Sequence, residues 1–500
     1  MSSEQSWGRA TRSGLVWSSG AFALAKLSTL LTTLVLARLL TPDEFGVVAA
    51  IIIFLTFIEL GSSISLRATV VFEQERGITR RVQTAFTTNL LFGILLTAIA
   101  VLVAPAIAGF FDLEEHVDLF RLGGLNILIV SLGNIQDSLL LRELEFRRRI
   151  IPTVVQAAVR SAISIGLAFA GFEAASLVWG MLAGSLAWLV VQWRLTRFRP
   201  DFTLDWQILR SMLSYGSGAV LLELISIVSS RADAIIIGRV LGERALGLYT
   251  VAFRVPEALI DSISWNLSTV AFPALSRKRV REGEGFAAVA LRLVHFQALF
   301  ALPVAALLAV LAPPLVVVLF GAEWREAGGV MSAVAVMAGV HAIIFPLGDS
   351  FKAAGRQRLL AGLGVLQMPL LLGAIVLGAP AGILVVAWIR AGSVILHTIL
   401  VAIAAGPVLG VPWHRVLRAA GPATAGAVGV AAGAGVVRVL MPSLSVGPVL
   451  LGTVMGAAGG LLALRVLAPG TIADLVEQLR RLRGGTQEPQ PDERVPTPSA

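Results

Sequence analysis

The sequence predicts an all-α membrane protein of fourteen transmembrane helices. Three observations lead there. Charged residues make up only 14% of the 500-residue chain and hydrophobic ones 56%, whereas soluble domains carry about 25% charged residues. So few charges cannot cover a water-facing surface, which excludes a soluble enzyme. The mean hydropathy is +0.83, and the apolar residues fall in long continuous runs. Short alternating runs would mark a β-barrel, and these are absent. Lys and Arg also segregate into alternate connections, as the positive-inside rule requires of a multi-pass chain.

A crossing needs about 20 mainly apolar residues. Spans 1 to 6 lie at 14–38, 45–70, 83–108, 119–141, 151–171 and 174–194. Spans 7 to 14 lie at 213–238, 246–271, 290–319, 329–350, 359–379, 382–405, 416–438 and 446–468. Arg9 and Arg12 precede span 1. That run is too long for a signal-peptide core and has no small-residue cleavage site, so it is read as a retained helix. Spans 5 and 6 are joined tightly at Gly171 to Glu173. The Gly/Ala stretch 419–435 in span 13 suits close helix packing. All connections are short, so no extramembrane domain is expected to host chemistry.

With the N-terminus in the cytoplasm, the cytoplasmic segments hold 27 of the 40 Lys and Arg, and the opposite side holds 6. The remaining 7 lie within spans. Both termini are therefore expected in the cytoplasm, which agrees with an even number of spans. The chain divides into a cytoplasmic segment 1–13, an N-lobe 14–199 and a C-lobe 200–405. Spans 13 and 14 follow over 406–468, and then a cytoplasmic tail 469–500. From about residue 484 the tail is polar and Pro-rich, a composition expected to be disordered.

An internal repeat supports the two lobes. Ala37 to Gly46 reads ARLLTPDEFG, and Gly238 to Gly247 reads GRVLGERALG. Arg38 aligns with Arg239, Leu40 with Leu241 and Gly46 with Gly247, all at an offset of 201. Each copy sits at the outer end of the first helix of its half. Six spans separate them, so both halves have the same orientation. Two parallel six-helix lobes around a central cavity, plus two C-terminal helices, are a transporter plan.

Ionisable groups inside the bilayer cost at least about 2.5 kcal/mol and are expected to face a cavity or a partner. On span 8, Arg254, Glu257 and Asp261 share one helical face with Trp265. Span 7 carries Glu223, Ser226, Ser230 and Asp233 on one face, with Arg231 beside them. Span 12 places Arg390, Ser393 and His397 together, and span 1 places Ser19, Lys26, Thr29 and Thr33 near one stripe. Span 2 contributes Glu59 and span 5 Arg160. Lys26, Arg160 and Arg390 have no acidic residue within one helical turn and are read as cavity residues. Arg254 with Glu257, and Arg231 with Asp233 on a neighbour, can also lock helices together. Arg67 and Arg465 lie near span ends, where snorkelling is the default. His295, His341 and His397 are read as packed or interfacial, because no metal-ligand spacing occurs.

The segments LARLLTPDEFG (36–46) and RADAIIIGRVLGERALGLYTVA (231–252) resemble the polysaccharide transporters of the multidrug/oligosaccharidyl-lipid/polysaccharide flippase superfamily. The similarity spans about residues 14–405. The resemblance implies 12 to 14 helices and a central cavity that opens alternately to each side of a bacterial inner membrane. It implies an undecaprenyl-pyrophosphate-linked oligosaccharide as cargo. The related peptidoglycan-precursor flippases use basic residues on the first and eighth helices, where Lys26 and Arg254 stand here. On this reading Lys26, Arg160, Arg231, Arg254 and Arg390 bind the pyrophosphate or anionic sugars. Glu59, Glu223, Asp233, Glu257 and Asp261 shape the sugar site or couple a cation. The expected partners are the lipid-linked oligosaccharide and membrane lipids, with a polysaccharide polymerase and glycosyltransferases as candidates. Nucleic acid is not expected, and neither a cofactor nor a metal.

The chain has no Gly-rich loop ending in Gly-Lys-Ser/Thr, so direct ATP drive is not expected. It has no His-Glu-x-x-His and no Gly-x-Ser-x-Gly, and no cysteine. One alternative is a cation-coupled multidrug exporter of the same superfamily, which would want an acidic and aromatic cavity. Another is a membrane glycan polymerase or ligase, which would want a sizeable outer loop.

Overall fold

The computed structural model describes residues 28–72, 78–143, 145–196, 198–265, 267–268, 275 and 283–471. Every regular element among them is helical. Ten helices among the described residues are long and apolar enough to cross a membrane. They coincide with expected spans 3 to 6 and 9 to 14. The described parts of the other four spans are helical too, including residues 28–36. The helices are α1 (Pro42–Phe72), α2 (Ile78–Phe110), α3 (Val117–Arg142), α4 (Phe146–Phe169) and α5 (Glu173–Thr196). Next come α6 (Trp206–Ala252), α7 (Arg254–Pro256, running into a π-turn at Glu257–Asp261) and α8 (Gly283–Phe320). They are followed by α9 (Ala327–His341), α10 (Ile344–Ala353), α11 (Gln357–Gly378) and α12 (Ile383–Leu409). The short α13 (Trp413–Ala419), α14 (Gly421–Leu440) and α15 (Val446–Leu467) close the chain.

Local chemistry sets several boundaries. At the start of α1, the Thr41 hydroxyl donates to Glu44 Oε2 at 2.9 Å, and the Thr41 amide donates to the same carboxylate. This is a capping box with Pro42 in the first turn, where its missing N–H costs nothing. Asp205 caps α6 by accepting from the Gln207 amide at 2.9 Å. Spans 7 and 8 run into one helical element, broken where Gly242 takes φ 81°. That left-handed backbone suits glycine. Span 10 is not continuous: α9 ends at His341 and α10 resumes at Ile344, with Pro346 in its first turn. The expected tight joint between spans 5 and 6 is present, with Gly171 at φ 82°.

The two repeat copies pack on each other. A Cβ on Gly46 would lie 1.9 Å from the Glu243 carbonyl oxygen, and one on Gly247 would lie 1.9 Å from the Pro42 carbonyl oxygen. Pro42 and Glu243 are themselves equivalent at the offset of 201, so the contact is reciprocal. Asp43 pairs with its own equivalent, Arg244, at 3.0 Å. Arg38 donates to the last carbonyls of α8, at Val318 and Leu319, as cations favour helix C-termini. Its equivalent, Arg239, pairs with Asp112 just beyond α2. The buried Trp324 indole donates to Ala37 O at 2.8 Å and meets Phe45 edge-on at 5.2 Å. This end of the bundle is thus shut by backbone contact, ion pairs and aromatic packing.

Elsewhere small residues bring helices together. Arg149 makes a two-pronged bond to Asp137, at 2.8 and 2.9 Å, and ties α4 to α3. Gly180 and Gly184 of α5 face Ser164 and Arg160 of α4 so closely that a Cβ would lie 1.9 and 2.9 Å from them. In α14 and α15, a Cβ on Gly429 would lie 2.4 Å from Gly459 O, and one on Gly433 2.2 Å from Met455 O. The Gly/Ala stretch serves close packing, as its composition suggests.

Candidate functional site

A cavity of about 360 Å³ lies between residues 28–36, α1, α4, α6, α7 and α12. Four of the five expected basic residues line it: Arg160, Arg231, Arg254 and Arg390. They arrive from four different helices, separated by up to 230 residues of chain. Asp233 and Glu257 line it as well. Lys26 lies outside the described residues, as does the side chain of Glu223. Glu59 and Asp261 are not in its lining. Asp261 sits one turn beyond Glu257, with Oδ1 4.0 Å from His341 Nδ1.

The acid–base pairing differs from the local expectation. Asp233 is buried and takes its cation from α12, not from the adjacent Arg231. Arg390 Nε lies 3.5 Å from Asp233 Oδ2, and Arg390 Nη1 donates to Ser229 O at 2.9 Å. Asp233 Oδ2 also accepts from the Tyr249 hydroxyl at 2.6 Å, and Oδ1 accepts from the Ala234 amide at 2.9 Å. Arg390 therefore lacks an acidic neighbour on its own helix but has one across the interface. This pair spans α6 and α12 and consumes one positive and one negative charge.

Arg160, Arg231, Arg254 and Glu257 remain. Arg160 lies within electrostatic range of Arg254, and Arg254 within range of Glu257 and Arg231. Among the described residues the cavity lining is net cationic by two, whether or not the Arg390–Asp233 pair is counted. Ser164 Oγ, Arg254 Nε and Arg390 Nε are buried and make no hydrogen bond among the described residues. Unsatisfied buried donors are costly, so acceptor oxygens entering the cavity would find partners in these groups. Thr29, Thr32, Thr33 and Ser161 add hydroxyls on the same wall, with Thr32 and Ser161 oxygens 2.5 Å apart.

Tyr249 was not singled out from the sequence, although it lies in the second repeat segment. It is one of only two tyrosines in the chain, and a scarce phenol within an apolar span is the available signal. Thr32, Ser161 and Ser164 had none, since mid-helix hydroxyls commonly bond back to the preceding turn.

Comparison with known proteins places this geometry. Residues 35–328 match the sequence model of the polysaccharide biosynthesis protein family. The succinoglycan biosynthesis transport protein ExoT of Rhizobium meliloti (strain 1021) is 25% identical over 361 residues, 72% of each chain. The teichuronic acid biosynthesis protein TuaB of Bacillus subtilis (strain 168) is 24% identical over 360 residues, 69% of this chain and 72% of that one. Among solved structures, the lipid II flippase MurJ in an inward closed conformation aligns with a TM-score of 0.74. It shares 15% identity and covers 91% of this chain and 100% of its own. An inward-facing multidrug resistance MATE family transporter of the MOP superfamily aligns with a TM-score of 0.63 at 15% identity, over 77% of this chain and 94% of its own. A family match over more than half the chain and a MurJ-like and MATE-like helical fold agree with the two repeat segments: the chain is a multi-pass membrane protein that belongs to the polysaccharide biosynthesis protein family.

Proposed function

We propose that this protein flips undecaprenyl-pyrophosphate-linked oligosaccharide repeat units from the cytoplasmic to the outer leaflet of a bacterial inner membrane, by alternating access. The observation that carries the reading is the charge of the cavity. Among the described residues, four guanidiniums against two carboxylates leave two positive charges in a site walled by helices. A pyrophosphate diester carries one negative charge on each phosphorus and offers several acceptor oxygens. Arg160, Arg231 and Arg254 hold it, since Arg forks match phosphate oxygens. Arg390 shapes the site through Asp233, and Lys26 joins from span 1. Glu257 keeps the empty cavity from being an unopposed cationic well. The prenyl tail stays in lipid.

In this reading the chain crosses the membrane fourteen times, with both termini in the cytoplasm. Residues 14–199 and 200–405 are the two lobes, and the shut end at Gly46 and Gly247 is the outer end. Glu59, Glu223 and Asp261 belong to the remaining cavity or cation-coupling set. Glycosyltransferases act before the flip and a polysaccharide polymerase after it, and the chain itself is not an enzyme. A drug exporter shares the fold, but a net cationic cavity repels an organic cation.

The test is transfer in proteoliposomes loaded with an undecaprenyl-pyrophosphate glycan on one leaflet, with and without proton and sodium gradients. A charged hydrogen-bond partner contributes about 1.5–3 kcal/mol. Arg160→Ala and Arg254→Ala should therefore each slow transfer about ten- to a hundredfold, and Arg254→Lys should slow it less. Protein-driven efflux of organic cations, with no movement of the glycan lipid, would overturn the assignment.

A further inference from the structure

A second cavity, of about 420 Å³, lies between Trp265 and Ser268, which follow α7 and its π-turn, and residues of α9, α10 and α11. We infer that it is a subsite for the neutral sugars of the cargo, with Trp265 as the stacking platform and Asp349, Ser268 and Lys352 as the hydroxyl-binding group. The inference rests on the flippase reading and assigns a second part of the same substrate.

The two cavities lie along one helix face. Arg254 and Glu257 line the first, and Trp265 and Ser268 line the second. Their spacings of 3, 8 and 3 residues keep them near one stripe, with Asp261 and the π-turn at 257–261 between them. Helical rise puts Trp265 about 16 Å beyond Arg254, away from the shut end at Gly247. A headgroup at Arg254 can therefore extend a few sugar rings along this face to reach the indole.

The chemistry of the second cavity is unlike that of the first. Trp265 is 58% exposed, although it lies in a cavity. It is backed edge-on by Phe345 at 6.4 Å, and His341 packs on Phe345 at 5.3 Å. An indole face held open in this way suits the C–H face of a pyranose. Asp349 is buried and sits between two donors, the Ser268 hydroxyl and Lys352 Nζ, the latter at 3.3 Å. An ionised carboxylate has about four acceptor positions and an ammonium has three donors. After their mutual bonds, both acceptors and donors are left. Sugar hydroxyls need both.

Net charge decides between ligand classes. Among the described lining residues Asp349 and Lys352 cancel, so neither a phosphate nor an organic cation gains from entering. A neutral polyol with an apolar face fits both the ring and the paired charges. Spacings of four and three put Phe345, Asp349 and Lys352 on one side of α10.

The test uses the full chain in proteoliposomes and two probes, undecaprenyl pyrophosphate bearing one glucose and the same lipid bearing a linear tetraglucose. The wild type should move the longer glycan faster. Trp265→Ala and Asp349→Asn should each lower the ratio of tetraglucose to monoglucose transfer about tenfold, the scale of one aromatic contact. Trp265→Phe should keep the preference, and Arg254→Ala should slow both probes together. Trp265 is exposed, so its loss should leave thermal stability intact, whereas Asp349→Asn is read beside a melting curve. Equal transfer of the two probes by the wild type, or a ratio unmoved in both variants, would overturn the subsite while leaving the flippase reading standing. Movement of neither probe would overturn the flippase reading, and the subsite with it.

Discussion

The reciprocal contact between Gly46 and Gly247 makes a sharp demand on conformational balance. A methyl on Gly46 would sit 1.9 Å from Glu243 O, 2.4 Å from its carbonyl carbon and 2.9 Å from its Cα. All three are backbone atoms, so no flexible side chain can yield. The two repeat segments must part by more than an ångström, and the shut end cannot close as it does now. Overpacking of this kind costs about 1–3 kcal/mol. Because the obstruction is backbone, Gly46→Ala should fall at the upper end, which is a population shift approaching about 150-fold. The chain has no cysteine, so Thr250→Cys, in the cavity lining, gives a single reporter without further engineering. An impermeant maleimide added from outside should label it slowly in the parent and much faster beside Gly46→Ala. Gly247→Ala should act alike. The double substitution should add little more, because one separation relieves both clashes. Gly166→Ala is the control, since a Cβ there meets nothing within 4 Å. Unchanged outside labelling in a properly inserted Gly46→Ala protein would refute the claim that this contact shuts the cavity.

Two further outcomes follow from the same geometry. Asp233→Asn leaves Arg390 buried without its countercharge, and breaking such a pair costs about 3–5 kcal/mol. The melting temperature should drop markedly, and the double variant Asp233→Asn with Arg390→Gln should recover much of it. A double-mutant cycle with no coupling would contradict the pairing across α6 and α12. The Asp43–Arg244 pair is about half exposed on both sides. It should be worth no more than about 1 kcal/mol, so Asp43→Ala should change outside labelling by about fivefold at most. The swap of Asp43→Arg with Arg244→Asp should restore the parent rate.

The bilayer made much of this protein legible from residues alone. A hydrocarbon solvent leaves helices as the way to satisfy the backbone of each long apolar run. The ten apolar helices coincide with expected spans for that reason. The repeat at Arg38 and Arg239 was legible because equivalent positions kept a ten-residue pattern. Arg160, Arg231, Arg254 and Arg390 stood out because a charge in a membrane needs a reason to be there. What joins these residues is not local. Asp233 finds Arg390 on α12, 157 residues away, while Arg231 stands two residues from it. Helical periodicity tells which face a residue occupies, but not which face of another helix will meet it. The Gly46–Gly247 contact, the Asp233–Arg390 pair and the Ser268 bond to Asp349 each depend on how separate helices pack. Only the tertiary structure decides such contacts, because they are set by the fit of whole helix surfaces and not by the chain within a single turn.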